Sequence, residues 1–124
     1  MDEEFLIRFS ECDNDVLRAR VIGVRTLSST IGYWQAIADR LARQRPSGLL
    51  LVDELEGEDL SASEWKALVA QMRGRGLEGI RIAHVKAFAL DQISYCEAFA
   101  TAAGLQARVF RDTAEAMRWL APGQ

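Results

Sequence analysis

The stretch Ile80–Leu120 constrains the fold more than any other. A short apolar run, IRIAHV, precedes ALDQISYCEAFATAAG, in which Ile93, Cys96, Phe99, Ala100 and Ala103 recur at helical spacing. A second short run, LQARVF, leads into RDTAEAMRWL. Strand, helix, strand, helix in this order implies two parallel strands joined by a crossover helix. A chain that ends this way must build an α/β sheet.

The residues before it extend the same pattern. Phe5, Ile7 and Phe9 alternate with Leu6, Arg8 and Ser10, which predicts a strand with one apolar face. Cys12-Asp13-Asn14-Asp15 is turn chemistry, because Asn and Asp tolerate left-handed backbone. Val16–Val24 predicts the second strand of an antiparallel hairpin, with Arg18 and Arg20 on one face. Ser28, Ser29 and Thr30 offer N-caps to a helix carrying Ile31, Trp34, Ile37, Ala38 and Leu41. Pro46-Ser47-Gly48 ends it. Leu49–Val52 is uniformly apolar, as expected of a central strand covered on both faces.

An acidic loop is expected from Asp53 to Asp59. Ser61-Ala62-Ser63-Glu64 reads as a capping box that opens a helix with Trp65, Leu68, Val69 and Met72 on one stripe. Gly74 and Gly76 stop it. Asp112-Thr113-Ala114-Glu115 repeats the capping logic before Ala116, Trp119 and Leu120. The predicted fold is therefore α/β, a mixed five-stranded sheet built from an N-terminal antiparallel hairpin followed by βαβαβα, in one domain spanning residues 1–124.

With 124 residues and 49% apolar side chains, the chain can bury a sizeable core. A net charge of −3 and the lack of a basic stripe interleaved with aromatics argue against nucleic acid as a partner. No apolar run approaches the ~20 residues of a membrane span. MDEEF lacks the pattern of a secretory signal, so a cytoplasmic protein is expected. The two cysteines, Cys12 and Cys96, are too few for a disulfide framework. With the single His84 they do not form a zinc site, and neither metal nor cofactor is expected.

The order of elements, with VIGV, LLLVDELEGEDLSASEW, IAHV and ARVFRDTAEAMRWL, resembles the SpoIIAA-like branch of the STAS superfamily. The resemblance implies a regulatory or interaction module. The best-known members are switched by phosphorylation of a serine at the start of the helix after the central strand, within an Asp-Ser-Ser-Gly type motif. The matching stretch here, Asp59-Leu60-Ser61-Ala62-Ser63-Glu64, has neither the Asp-Ser pair nor the glycine. The branch is also similar in fold to lipid-binding domains of the CRAL-TRIO type.

Ligands of open α/β sheets bind beyond the carboxyl ends of the parallel strands. Those ends carry Arg25, Thr26, Asp53, Glu54, His84, Lys86, Arg111 and Asp112. Ser61 and Ser63 are candidate phosphoacceptors, with a helix cap as the plainer reading. Asp53, Glu54, Glu58, Asp59 and His84 form the candidate surface for a partner or ligand. The acidic group lacks the spacing of a calcium loop, and docking of a basic partner surface needs no fixed spacing.

No phosphate loop, nucleophile elbow or dinucleotide fingerprint is present, so no catalytic residue is assigned. An enzymatic reading requires His84 to share a cleft with Asp53 or Asp59. The expected function is that of a non-enzymatic STAS-like regulatory or protein-interaction module. The alternative is a domain for a small apolar ligand or lipid, with Tyr33, Trp34, Phe88, Tyr95 and Phe99 lining its pocket. A homodimer would cover the strand edge that the hairpin leaves, unless Arg8, Arg18 and Arg20 guard it.

Overall fold

The computed structural model describes residues 5–57, 61–72, 74, 77, 79–86 and 106–121. Five strands and three helices lie among them. Strand β1 is Phe5–Cys12, β2 Val16–Val24, β3 Gly48–Glu56, β4 Arg81–Val85 and β5 Gln106–Phe110. Helix α1 is Leu27–Arg43, α2 Ala62–Met72 and α3 Thr113–Leu120. The strands lie in sequence order across one mixed sheet. β1 is antiparallel to β2, and β2 through β5 are parallel neighbours. The α/β class, the hairpin and the parallel run thus agree with the sequence reading. The helix expected at 89–103, with Cys96, lies outside the described residues.

The hairpin turns through Asp13–Asp15, where Asn14 (φ 66°) and Asp15 (φ 59°) are left-handed. These are residue types that tolerate this region. Asp15 also ties the turn to the start of β3: its carboxylate and its carbonyl both accept from the Ser47 amide, at 3.0 and 2.9 Å.

Alternation along the strands sorts the core into two layers. Leu17, Ala19, Val21, Leu49, Leu51, Leu55 and Ile82 point to one face, where Tyr33, Trp34, Ile37 and Leu41 of α1 meet Trp65, Leu68 and Met72 of α2. Val16, Leu50, Ala83 and Val85 point to the other, against Ala116 and Leu120 of α3. The Arg40 guanidinium over Phe9 pins α1 to β1. The side chain of Arg81 donates to the Trp119 carbonyl and stacks on its ring, holding α3 down. Gly32 allows the close approach of α1 to β1, since a Cβ there would stand 2.8 Å from the Phe5 ring.

Two boundaries differ from the sequence reading. α1 starts earlier than Ser28–Thr30 suggest. Thr26 is the N-cap and accepts from the Ser29 amide at 2.9 Å, while Ser29 Oγ accepts from the Thr26 amide at 3.0 Å. The serine is thus the third residue of a capping box, not the cap. β3 also runs on to Glu56, so Asp53 and Glu54 belong to a strand and not to a loop. The other two caps match. Ser61 and Glu64 exchange hydrogen bonds at 2.9 and 3.2 Å. Asp112 accepts from the Glu115 amide at 2.8 Å.

α3 covers only part of its face. Leu6, Ile22 and Val24 lie on the uncovered part and are 56%, 39% and 56% exposed. Replacing Ile37 by Ala should therefore lower the unfolding free energy by ~2–5 kcal/mol through lost burial and a cavity. Leu6→Ala should change it by less than ~0.5 kcal/mol. Urea denaturation of the two variants checks the assignment.

Candidate functional site

Asp53 lies on β3 in phase with Leu49, Leu51 and Leu55, so its side chain enters the interior with theirs. The carboxylate is met there by two basic residues from neighbouring strands. Arg25, the first residue beyond β2, donates from Nη2 to Asp53 Oδ1 at 2.5 Å. His84 on β4 contacts Asp53 Oδ2 through Nε2 at 2.8 Å. The Leu55 amide donates to Oδ1 at 3.1 Å. Side-chain exposure is 0% for Arg25 and Asp53 and 2% for His84. Three adjacent strands are thus tied by one buried carboxylate.

Burial works against the charge on Asp53. The hydrogen bonds and charges of His84 and Arg25 outweigh it and hold the acid well below the usual carboxylate range. An ionised carboxylate only accepts hydrogen bonds, so His84 Nε2 carries the proton between them. Arg25 is likewise opposed by desolvation, but Asp53 and the nearby Tyr33 hydroxyl raise its pKa on balance. Its amide also donates to the Glu56 carbonyl at 2.7 Å, fixing the backbone where the side chain turns inward.

Lys86 follows β4 directly and is 6% exposed. Desolvation and the neighbouring Arg25 charge lower its pKa to about 8, with Asp53 pulling the other way. The edge of the Trp65 ring packs toward the His84 ring at a centroid distance of 6.5 Å. Trp65 is fully buried, and its indole N–H has no hydrogen-bond partner among the described residues.

The expected candidate surface is divided by strand alternation. Asp53 and His84 come together inside, beneath α1 and α2. Glu54 points to the opposite face, exposed, and accepts from Arg20 Nε at 2.8 Å. Glu58 and Asp59 lie outside the described residues. Ser61 and Ser63 are exposed at the start of α2, with hydroxyl oxygens 3.2 Å apart and Ser61 Oγ accepting from the Glu64 amide. Arg25 and Lys86 stand at strand ends in the sequence reading but carry no role there. The signal that finds them is the period of two through Leu49, Leu51, Asp53 and Leu55, which buries an acid and so demands a basic partner.

A second polar region lies at the end of β5. A groove of about 580 Å³ is lined by Arg108, Phe110, Arg111, Asp112, Glu115 and Arg118. Arg108 stacks near Phe110 and Trp119, at 5.4 and 5.9 Å from the ring centroids. Its charges suit polar contacts, not an apolar ligand. Tyr33 and Trp34, expected as pocket-lining candidates, instead pack into the core between α1 and the sheet. Phe88, Tyr95 and Phe99 lie outside the described residues.

Among the described residues no group of three or more His, Cys, Asp or Glu side chains is arranged to hold a metal ion. No described helix is long and apolar enough to cross a membrane. The chain matches no family model and no curated protein.

Removing the carboxylate charge leaves Arg25 buried without its counter-ion, so Asp53→Asn should cost ~3–5 kcal/mol. The double variant Arg25→Met/Asp53→Asn should lose less than the sum of the single losses, as measured by urea unfolding. Lys86 makes a second, pH-dependent prediction. Its folded pKa of about 8 lies below the ordinary 10.5, so the unfolded chain binds more protons between those values. Stability from this group should rise as pH increases from about 8 toward 10.5. Lys86→Met should lose that rise, as seen by comparing unfolding free energies of the two proteins across this range.

Proposed function

We propose that this chain is a non-enzymatic interaction module of STAS-like architecture. One observation carries the reading: the groups best suited to acid–base chemistry are joined to one another in the interior. Asp53, Arg25 and His84 form a solvent-free cluster joined through the Asp53 carboxylate. A substrate atom cannot approach a pair with 0% and 2% side-chain exposure unless the packing opens. What the surface offers instead is contact area: an uncovered sheet face with exposed Leu6, Ile22 and Val24, and the exposed serines at the start of α2. Clustered exposed apolar side chains are characteristic of places where proteins meet partners.

The STAS-like order of hairpin and parallel strands supports this reading as a resemblance of architecture. The small-ligand alternative draws less support, because Tyr33 and Trp34 fill the core. The serine pair remains the second candidate contact. Ser61 acts as a cap, and Ser63 is exposed beside it.

Photo-crosslinking residues placed at Val24 and at Ser63, in separate variants expressed in the native host, test the module reading. A discrete heavier protein adduct from at least one position is the expected result. No adduct from either, together with turnover of a small-molecule substrate that His84→Gln abolishes, would overturn it.

A further inference from the structure

The half of the sheet that α3 leaves open has an ordered chemistry. Pairing places Ser10 opposite Arg18, Arg8 opposite Arg20 and Leu6 opposite Ile22. Beside them on β3, Val52 adjoins Arg20, Glu54 adjoins Ile22 and Glu56 adjoins Val24. All of these side chains share the face away from α1 and α2, by the alternation that buries Leu17, Ala19 and Val21 on the other side. One end of the face is therefore basic. The other end is apolar along β1 and β2, with acids confined to β3.

The basic end is not neutralised within the described residues. Arg20 pairs with Glu54, but Arg8 and Arg18 have no ion pair among the described residues. Like charges directly opposite each other across an antiparallel pair are unfavourable. Arg8 and Arg20 stand in that relation; Glu54 offsets the charge of Arg20 but not those of Arg8 and Arg18, so an anionic group placed beside these meets charge that the described residues leave unneutralised. Next to it, Leu6, Ile22 and Val24 leave apolar surface in water.

Size narrows the occupant. The part that α3 leaves open, Leu6–Ser10 of β1 and Arg18–Val24 of β2, makes a strip ~17–24 Å long and ~10 Å wide, from ~3.4 Å per residue and ~4.8 Å between strands. An α-helix is ~10 Å across, and one of ~18 residues, ~27 Å long, spans that strip. Resting on the interaction-module reading above, we propose that the open β1–β2 face binds a helix of a protein partner whose inward side chains are Asp or Glu toward one end and Leu, Ile or Val toward the other. The acids lie between Arg8, Arg18 and Arg20, and the apolar residues cover Leu6, Ile22 and Val24. A second copy of this chain laid antiparallel on the same face fits worse. It sets Arg8 and Arg20 against the apolar pair Leu6 and Ile22, which offers them no acceptor.

The test uses the full chain and a synthetic 18-residue helical peptide. Its inward positions carry glutamate in the first two turns and leucine in the last two. A second peptide has lysine in place of each glutamate. Backbone amide shifts on titration should move at Leu6, Arg8, Arg18 and Ile22 with the glutamate peptide, and the lysine peptide should bind at least tenfold more weakly. In the variant Arg8→Glu/Arg18→Glu the preference should reverse. Arg8 is exposed and Arg18 half-buried, both outside the core, and the variant's unfolding curve checks that it folds.

Equal binding of both peptides, no binding of either, or shifts centred on Ser61–Trp65 would overturn the proposal. So would self-association that buries Leu6 and Ile22. Binding to phosphatidylcholine–phosphatidylserine vesicles that the Arg8→Glu/Arg18→Glu variant loses, without binding of the glutamate peptide, would transfer the face to a lipid partner and also overturn it. The two readings fail separately. A protein adduct from the Ser63 crosslinker with none from Val24 keeps the interaction module and removes this face from it.

Discussion

The carboxylate of Asp53 is the point on which the interior depends. A single negative charge is placed where water does not reach, and a charge there is stable only if opposite charge and hydrogen bonds replace the lost solvation. Arg25 comes from the end of β2 and His84 from the middle of β4, so satisfying Asp53 fixes where both neighbouring strands stand relative to β3. Apolar packing is tolerant of small shifts, whereas two hydrogen-bonded contacts to one buried carboxylate are not. The sheet's register at this end is consequently tied to one side chain.

That arrangement shapes the functional reading as well. A histidine held by an aspartate resembles part of a catalytic apparatus, but here the aspartate also neutralises an arginine and the group is sealed beneath α1 and α2. The same groups at the mouth of a cleft would suggest proton transfer. Inside, they explain cohesion. Lys86, beside them at the end of β4, feels the same low-dielectric surroundings, which lower its pKa.

The opposite face shows a contrasting economy. α3 is only eight residues long and covers Leu50, Ala83, Val85 and, at the turn end of the hairpin, Val16, but not the rest of the hairpin. Beyond Val16 the hairpin strands therefore have one face in the core and one in solvent. Phe5, Ile7 and Phe9 serve the first, and Leu6, Arg8 and Ser10 form the second. An exposed apolar strip of sheet is left where the helical layer stops short.

Features set by near neighbours in the chain could be read from the sequence. Ser61 with Glu64 and Asp112 with Glu115 are caps closed over three residues, and Asn14-Asp15 supplies left-handed backbone wherever the turn falls. The alternation of the hairpin and the apolar run Leu49–Val52 specify strands and hence an α/β sheet. Asp53 and Glu54 were legible only in part. Acids after an apolar run suggest a loop because acids are poor strand residues, and the partners that reverse that preference lie 28 and 31 residues away for Asp53 and 34 for Glu54. The sequence by itself determined the order of elements and the residues that could carry charge. Tertiary structure alone decided that Asp53 faces inward to Arg25 and His84 while Glu54 faces outward to Arg20, because adjacent residues of a strand point to opposite sides and only packing chooses which side is the interior.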